Sequence, residues 1–334
     1  MISDTIKYTK AYLKRIPLEA LIYFASYLAM AAGICAILSH TWETRMDYSF
    51  GYIAPLFALF VIYDRRKKIS DFFSKPGSDN SGGIIAWGTT LFFGAMLACG
   101  FATYLVFSLV YFLSENLGAP SFGATFGFCF ASFALAYFAS AKGLDGKSKT
   151  VCERIGFTLL FVFPCFVWLI AAPMFMALEE LISYNLLSLV AAVVSKIMDF
   201  FGYIIELRGN TLSFPNGSVG VAEACSGIRS LTACLFAGSF LAAVFLDKFW
   251  KKAALVIISM GCAFFNNLLR ALFLALWAYE NGPDSISGLV HDTAGMVILA
   301  MTVIELLILL PIFQLDPVPP ELRNNSSDSN DGRN

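Results

Sequence analysis

Long apolar runs without charge constrain this chain more than any other feature of its sequence. Residues 84–112, for example, contain no charged side chain. About 20 helical residues cross a hydrocarbon core about 30 Å thick, and a spanning segment must satisfy its own backbone hydrogen bonds. The composition, with 58% hydrophobic and 14% charged residues, is unlike that of a soluble globular protein. The sequence therefore predicts an all-α integral membrane protein.

Eight of these runs are predicted to be transmembrane helices. Their approximate bounds are residues 18–38, 52–63 with the preceding residues, 84–112, 121–141, 155–177, 227–246, 253–278 and 293–313. Residues 176–203 show a helical apolar pattern that Glu179, Glu180, Lys196 and Asp199 interrupt. Such a pattern is typical of an amphipathic helix on a membrane surface, and we place this helix on the outer face.

Lysine and arginine are concentrated in alternate connections. The N-terminal segment and the connections after the second, fourth and sixth spans are basic, whereas the others are poor in Lys and Arg. The positive-inside rule therefore predicts cytoplasmic termini for a multi-pass protein of the plasma (inner) membrane. Residues 1–314 are predicted to form a single polytopic domain. Residues 315–334, rich in Pro and then in Asn and Ser, are predicted to be a disordered cytoplasmic tail.

Three polar residues are predicted to lie at one depth near the outer surface. Counted at 1.5 Å per residue from the cytoplasmic ends of their helices, Cys225, Arg270 and His291 lie about 33, 27 and 30 Å across. Ionisable residues inside spans are costly, which makes them functional candidates. Asn266 and Asn267 precede Arg270 by one turn and are in position to orient its guanidinium or a substrate.

A thiol, an imidazole and a guanidinium at one depth form a chemical set. A thiolate is a nucleophile, and a helix N-terminus or a nearby cation lowers the pKa of a thiol. Arg229 lies one turn after Cys225 and is such a cation. An imidazole can donate a proton to a leaving amine, and a fixed Arg can hold an oxyanion. The set is suited to acyl transfer through a thioester.

Each of these residues also has an ordinary structural interpretation. A membrane Cys usually packs as a small hydrophobe, an Arg near the surface extends to the headgroups, and Glu223 can simply pair with Arg229. A transporter or lipid flippase with a polar path near Arg229 and Arg270 is the alternative function, and a non-enzymatic assembly factor is a third. The cysteines show no CxxC pair and no metal-ligand spacing, so we expect no metal and no cofactor.

The motifs around these residues resemble a known family. Cys225 stands in "ACSGIR", Arg270 ends the "NLLR" that begins at Asn267, and His291 lies near the start of the last span. This ordered set is similar to the exosortase and archaeosortase family of membrane transpeptidases, from about residue 45 to 314. "DYSFGYIAPL" is similar to a Tyr-Ser-His-Gly stretch of bacterial members, with Phe50 in the place of the His. "LRGNTLSFPNGSVGVAEACSG" resembles the family's short extended segment outside the membrane.

The resemblance implies a cysteine transpeptidase or protease that acts on membrane-anchored proteins. Such substrates carry a C-terminal sorting signal, which consists of a short motif such as Pro-Glu-Pro, a transmembrane helix and a basic tail. The enzyme would cleave at the outer face and pass the new carboxyl end to an envelope or lipid acceptor, or to water. Cys225 would be the nucleophile, Arg270 the oxyanion or substrate-positioning residue and His291 the general acid or base. The supporting residues would be Glu223, Ser226, Arg229 and Asn267. Nothing points to a nucleic acid partner.

Overall fold

The computed structural model describes residues 17–77, 83–114, 118–220, 228–286 and 288–314. Most of the described chain is helical, and one small sheet lies between the helices of the second half. The elements in chain order are α1 (Leu18–Thr44), a 3₁₀ helix (Met46–Ile53), α2 (Ala54–Asp64), α3 (Arg66–Ser74), α4 (Ile84–Leu113), α5 (Gly118–Ala139), α6 (Val151–Leu159), α7 (Val162–Ala171), α8 (Met176–Phe200), β1 (Glu206–Arg208), β2 (Thr211–Phe214), β3 (Gly217–Gly220), α9 (Ile228–Phe245), α10 (Phe249–Asn281), a second 3₁₀ helix (Pro283–Ile286) and α11 (Leu289–Gln314).

Seven helical segments of the described chain are long and apolar enough to cross a membrane. They are α1, α4, α5, the α6–α7 pair, α8, α10 and α11. The membrane-protein fold that the sequence predicts is therefore confirmed, but the set of segments differs from the eight predicted spans. The second predicted span is a 3₁₀ helix followed by the 11-residue α2, and the sixth, α9, is also shorter than the others. Conversely, α8 meets the length and composition of a span.

The break between α6 and α7 follows from a proline. Pro164 has no N–H to donate to the carbonyl of Leu160 four residues earlier, so that carbonyl loses its partner within the helix. The Arg65 guanidinium, at the end of α2, donates to the Leu160 carbonyl instead. A second N–H of Arg65 donates to the Ala243 carbonyl near the end of α9, at 3.2 Å. One arginine therefore ties three helical segments together.

The loops that the charge pattern assigns to the cytoplasm meet on one side of the bundle, which we call the basic side. Lys68 Nζ in the first turn of α3 lies 3.4 Å from Oδ1 of Asp247, which precedes α10. Lys149 Nζ donates to the Lys75 carbonyl at 2.6 Å, which joins the connections after α3 and α5. This grouping agrees with the alternation of basic loops. The compartment that the basic side faces stays a prediction.

The opposite side carries the three strands, and we call it the sheet side. The strands are antiparallel in the order β1-β2-β3, and both connections are two-residue turns. Leu212, Phe214 and Val219 are buried in a cluster with Leu274 and other residues near the end of α10. Residues 206–220 thus contain extended strands, as the resemblance implies for the approach to Cys225, and they add a small sheet to the predicted all-α fold.

Both ends of α8 contact elements of the sheet side. In its first turn Glu179 forms a two-pronged ion pair with Arg45, which follows α1, and one of the two contacts measures 3.1 Å. Further along, Ser188 Oγ lies 3.0 Å from Asn210 Oδ1 in the β1–β2 turn, and Met198 packs in the cluster beneath the sheet. A 25-residue helix is about 37 Å long and cannot cross the bundle with both ends on one side. These contacts favour the predicted external helix over a spanning one.

Candidate active site at the sheet side

Arg270 and His291 are in direct contact across α10 and α11. Arg270 Nη2 lies 3.0 Å from His291 Nε2 and donates to the His291 carbonyl oxygen at 3.2 Å. His291 occupies the first turn of α11, and Arg270 lies eleven residues before the end of α10, about 16 Å along its axis. Since α10 ends and α11 begins at the sheet side, the contact lies directly below the sheet. Depth counting from the sequence therefore brings together a pair that is in contact in the structure.

The contact favours one tautomer of His291. A guanidinium only donates hydrogen bonds, so Nε2 is the accepting nitrogen in this contact and the ring proton is assigned to Nδ1. His291 Nδ1 lies 3.4 Å from Asp292 Oδ1, which can accept that proton's hydrogen bond. The His291 side chain is 32% exposed and Asp292 is 69% exposed, so the pair is open to the sheet-side surface. Sequence reasoning missed Asp292, although an acid next to the histidine was a readable signal.

A glycine on α11 makes room for the guanidinium. A Cβ atom added at Gly295 would lie 3.3 Å from Nη2 of Arg270 and 3.5 Å from its Cζ. The guanidinium therefore lies against the backbone of α11, one turn after His291. Arg270 Nε is buried and has no hydrogen-bond partner among the described residues. A buried N–H without a partner is costly, which marks Arg270 as a side chain held ready for an acceptor.

An apolar groove of about 510 Å³ begins at Arg270 and runs between α10 and α11. Its walls include Phe273 and Trp277 of α10 and Val297 and Met301 of α11. Phe273 and Val297 are exposed on the surface of the bundle, so the groove faces the lipid rather than a polar path through the protein.

Asn266 connects α10 to α11 one turn before Arg270. Its Nδ2 donates to Thr302 Oγ1 at 2.9 Å and to Glu305 Oε2 at 2.7 Å, and Asn266 itself is fully buried. The sequence places Asn266 and Asn267 where they could orient the guanidinium or a substrate, but the Asn266 amide bonds to the partner helix instead. Asn267, its neighbour, is also buried.

Glu305 is a membrane-embedded acid that sequence reasoning missed. It lies in "MTVIELLILL", in the middle of the last apolar helix. An ionisable residue within a span is expensive and normally has a partner, and this rule alone was sufficient to single out Glu305. Its partner is the Asn266 amide, so Glu305 takes part in the contact between the two helices that carry Arg270 and His291.

The remaining predicted site residues fall outside the detailed description. Glu223, Cys225 and Ser226 lie in residues 221–227, which are not among the described residues, and the Arg229 side chain is likewise outside them. The described chain leads up to this segment at Gly220, the last residue of β3, and continues from it at Ile228 in α9. Their predicted roles stay predictions. Among the described residues no group of three His, Cys, Asp or Glu side chains could hold a metal ion.

Phe50 serves as a packing residue in the first 3₁₀ helix. Its ring centre lies 5.0 Å from that of Phe236 on α9, in a row of aromatic contacts that also includes Phe57 and Phe240. Tyr48, from the same 3₁₀ helix, accepts a hydrogen bond from the Met174 N–H at 3.2 Å. This 3₁₀ helix, whose sequence resembles a histidine-containing stretch, therefore packs between α9 and the first half of the chain. The helix α9 follows Cys225.

Comparison with known proteins gives one family. The family model described as Transmembrane exosortase (Exosortase_EpsH) matches residues 42–308, well over half of the chain. This range includes Cys225, Arg270 and His291. No curated protein and no solved structure matches the chain.

We predict that Asn266 and Glu305 are energetically coupled. In a double-mutant cycle of Asn266→Leu and Glu305→Met, the coupling energy should be about 0.6–1.7 kcal/mol, the range measured for hydrogen bonds between membrane helices. The free energy of unfolding in mixed detergent micelles gives this value. Glu280→Met is the matched control because it removes an exposed acid about 21 Å further along α10, and it should add to Asn266→Leu within about 0.5 kcal/mol. If the effects of Asn266→Leu and Glu305→Met on the free energy of unfolding add as fully as those of Asn266→Leu and Glu280→Met, the contact between Asn266 and Glu305 is contradicted.

Proposed function

The chain belongs to the transmembrane exosortase family, and from this premise we propose that it is a cysteine transpeptidase of the plasma membrane. It cleaves the C-terminal sorting signal of exported, membrane-anchored proteins at the outer face and transfers the new carboxyl end to an envelope or lipid acceptor. The observation that carries the proposal is the contact between Arg270 and His291 at the sheet side, below the strand that leads to Cys225. A motif just outside a substrate's anchor helix arrives at this depth.

The reaction begins at Cys225. His291 Nε2 takes the proton of the Cys225 thiol. The thiolate attacks the scissile carbonyl carbon, and the carbonyl electron pair moves onto oxygen to give a tetrahedral oxyanion. When the oxyanion collapses, the C–N bond breaks and His291 supplies the proton to the leaving amine. The products are a thioester on Cys225 and the released anchor segment. An amine or hydroxyl group of the acceptor then attacks the thioester and restores the thiol, and water in its place gives hydrolysis.

Arg270 provides the hydrogen bonds for the oxyanion. A guanidinium offers several N–H donors, and donors fixed in a low-dielectric site stabilise developing charge strongly. Without substrate, Nη2 donates to His291 Nε2. A substrate carbonyl oxygen that takes over this N–H frees Nε2 for proton transfer, so substrate binding itself switches His291 into its catalytic role. Asp292, 3.4 Å from Nδ1, holds the imidazole in the tautomer that this step needs.

The transporter or flippase alternative has less support. Transport sites usually lie near the bilayer midplane and line a polar path. Here the mid-depth polar side chains Asn266, Thr302 and Glu305 bond to one another between α10 and α11, and the groove beside them is apolar. The described polar groups therefore form a closed helix contact.

We expect Cys225→Ala to abolish processing of a reporter that carries a sorting signal from a protein of the same host. Loss of a catalytic nucleophile should lower the rate at least about 1,000-fold. The shift in size between full-length and cleaved reporter measures it. Cys234→Ala, which removes a buried thiol from α9, is the matched control and should leave processing intact. Normal processing by the Cys225→Ala chain would disprove the thioester mechanism.

We also expect Gly295→Leu to lower kcat strongly with little change in substrate binding. A side chain at this position occupies the space of the Arg270 guanidinium, and a misplacement of about 1 Å can cost about 100-fold in rate. Gly261→Leu is the matched control, because no atom lies within 4 Å of a Cβ added at that helical glycine. Similar rates for the two variants would show that the position of the guanidinium does not matter.

A further inference from the structure

The outer edge of β3 exposes backbone hydrogen-bonding groups next to the candidate site. In a hairpin with a two-residue turn, the residues that flank the turn form a hydrogen-bonded pair, and such pairs alternate along the strands. Phe214 pairs with Gly217 and Leu212 with Val219, so Gly217 and Val219 bond to β2. The N–H and C=O groups of the alternate residues, Ser218 and Gly220, point away from the sheet.

These edge groups are open. The structure gives no hydrogen-bond partner for the backbone of Ser218 or Gly220 among the described residues. Among the described residues, the 3₁₀ helix that begins at Pro283 contacts β3 but lies off the plane of the sheet. A Cβ atom added at Gly217 would lie 2.6 Å from Pro283 Cγ, and because a Cβ bond leaves the plane of a sheet, Pro283 lies above or below the strands. Val219 anchors β3 in the buried cluster.

The two edges of the sheet differ in chemistry. On β1, Glu206 and Arg208 form an exposed ion pair at 2.8 Å. The Arg208 guanidinium holds the pKa of the Glu206 carboxyl below its usual range, so this edge stays charged. Charged side chains are a common way to prevent a strand edge from pairing with another chain. The β3 edge, "GSVG", has no charge and no bulky exposed side chain. The sheet is therefore protected on one edge and open on the other.

We propose that the β3 edge binds an extended segment of the substrate as an additional strand. The inference rests on the proposed function and specifies how the peptide is held. The complement of a row of backbone N–H and C=O groups is another extended backbone. In the chain, four residues separate Gly220, the last residue of β3, from the proposed nucleophile Cys225. Backbone pairing holds the region beside the scissile bond in extended form and leaves its side chains free for recognition elsewhere.

Crosslinking tests the docking without requiring cleavage. Ser218→Cys is introduced into the Cys225→Ala chain, and single cysteines are scanned through the reporter residues that precede its anchor helix. Because alternate side chains of a strand lie on opposite faces, disulfides should form at every second reporter position. The Cys225→Ala chain with Ser218 intact measures the background. Disulfides at consecutive positions, or none above this background, would overturn the inference.

A proline tests the same edge in the active chain. Ser218→Pro removes the outward N–H, and proline is tolerated on a strand edge whose N–H faces solvent. Ser218→Ala removes only the hydroxyl and is the matched control. We expect processing by Ser218→Pro to lie about 10-fold or more below that of Ser218→Ala, which keeps the N–H. Equal processing by both variants would contradict strand addition.

The two proposals fail in different ways. If Cys225→Ala processes normally while disulfides still appear at every second position, the thioester mechanism is wrong and the docking edge stands. If Cys225→Ala is inactive and no periodic disulfides form, the nucleophile stands and the docking edge is wrong. If Ser218→Pro prevents folding, the crosslinking experiment alone still tests whether the substrate docks on the β3 edge.

Discussion

The guanidinium of Arg270 must lie against α11 for this site to exist, and α11 is held by few contacts. Only Thr302, Leu306 and Leu310 of its described residues are buried, and all three belong to the half nearer the basic side. Asn266 of α10 bonds to Thr302 and Glu305 in this half, and nearer the sheet Arg270 bonds to both the ring and the carbonyl of His291. Val290 and Ala294 of α11 are half-buried there and pack against the cluster beneath the sheet. Hydrogen bonds and this apolar packing together set how the two helices meet at the site.

Because α10 is long, it takes part both in the Arg270–His291 contact and in the packing beneath the sheet. At 33 residues, α10 is about 50 Å long and exceeds a hydrocarbon core of about 30 Å. Its end projects beyond Arg270, and Leu274 and Ala278 on this projection support the buried face of the sheet together with α8. One helix thus carries both Arg270 and the platform for the strand that precedes the Cys225 segment. A peptide on the β3 edge and the guanidinium of Arg270 would belong to one rigid element.

Much of this arrangement was readable in the sequence because depth in a membrane depends on simple counting. Apolar length located α1, α4, α5, α10 and α11, and a rise of 1.5 Å per residue placed Arg270 and His291 at one level. The direction of a side chain around its helix is set by tertiary packing, which counting does not capture. By counting alone Asn266 could face Arg270 or a substrate, but it contacts Glu305. Hydropathy alone also gives α8 the composition of a span, whereas its contacts with Arg45 and the sheet favour the outer face.

In the proposed mechanism Cys225 carries the cut substrate as a thioester. To detect it, the purified protein is incubated with a membrane-anchored reporter in lipid vesicles, the reaction is stopped in acid and the cysteine-containing peptides are mapped by mass spectrometry. We expect the N-terminal part of the reporter on Cys225, joined by a bond that neutral hydroxylamine cleaves. Continued processing with Cys225 unmodified throughout, or an adduct on a different residue, would contradict this mechanism.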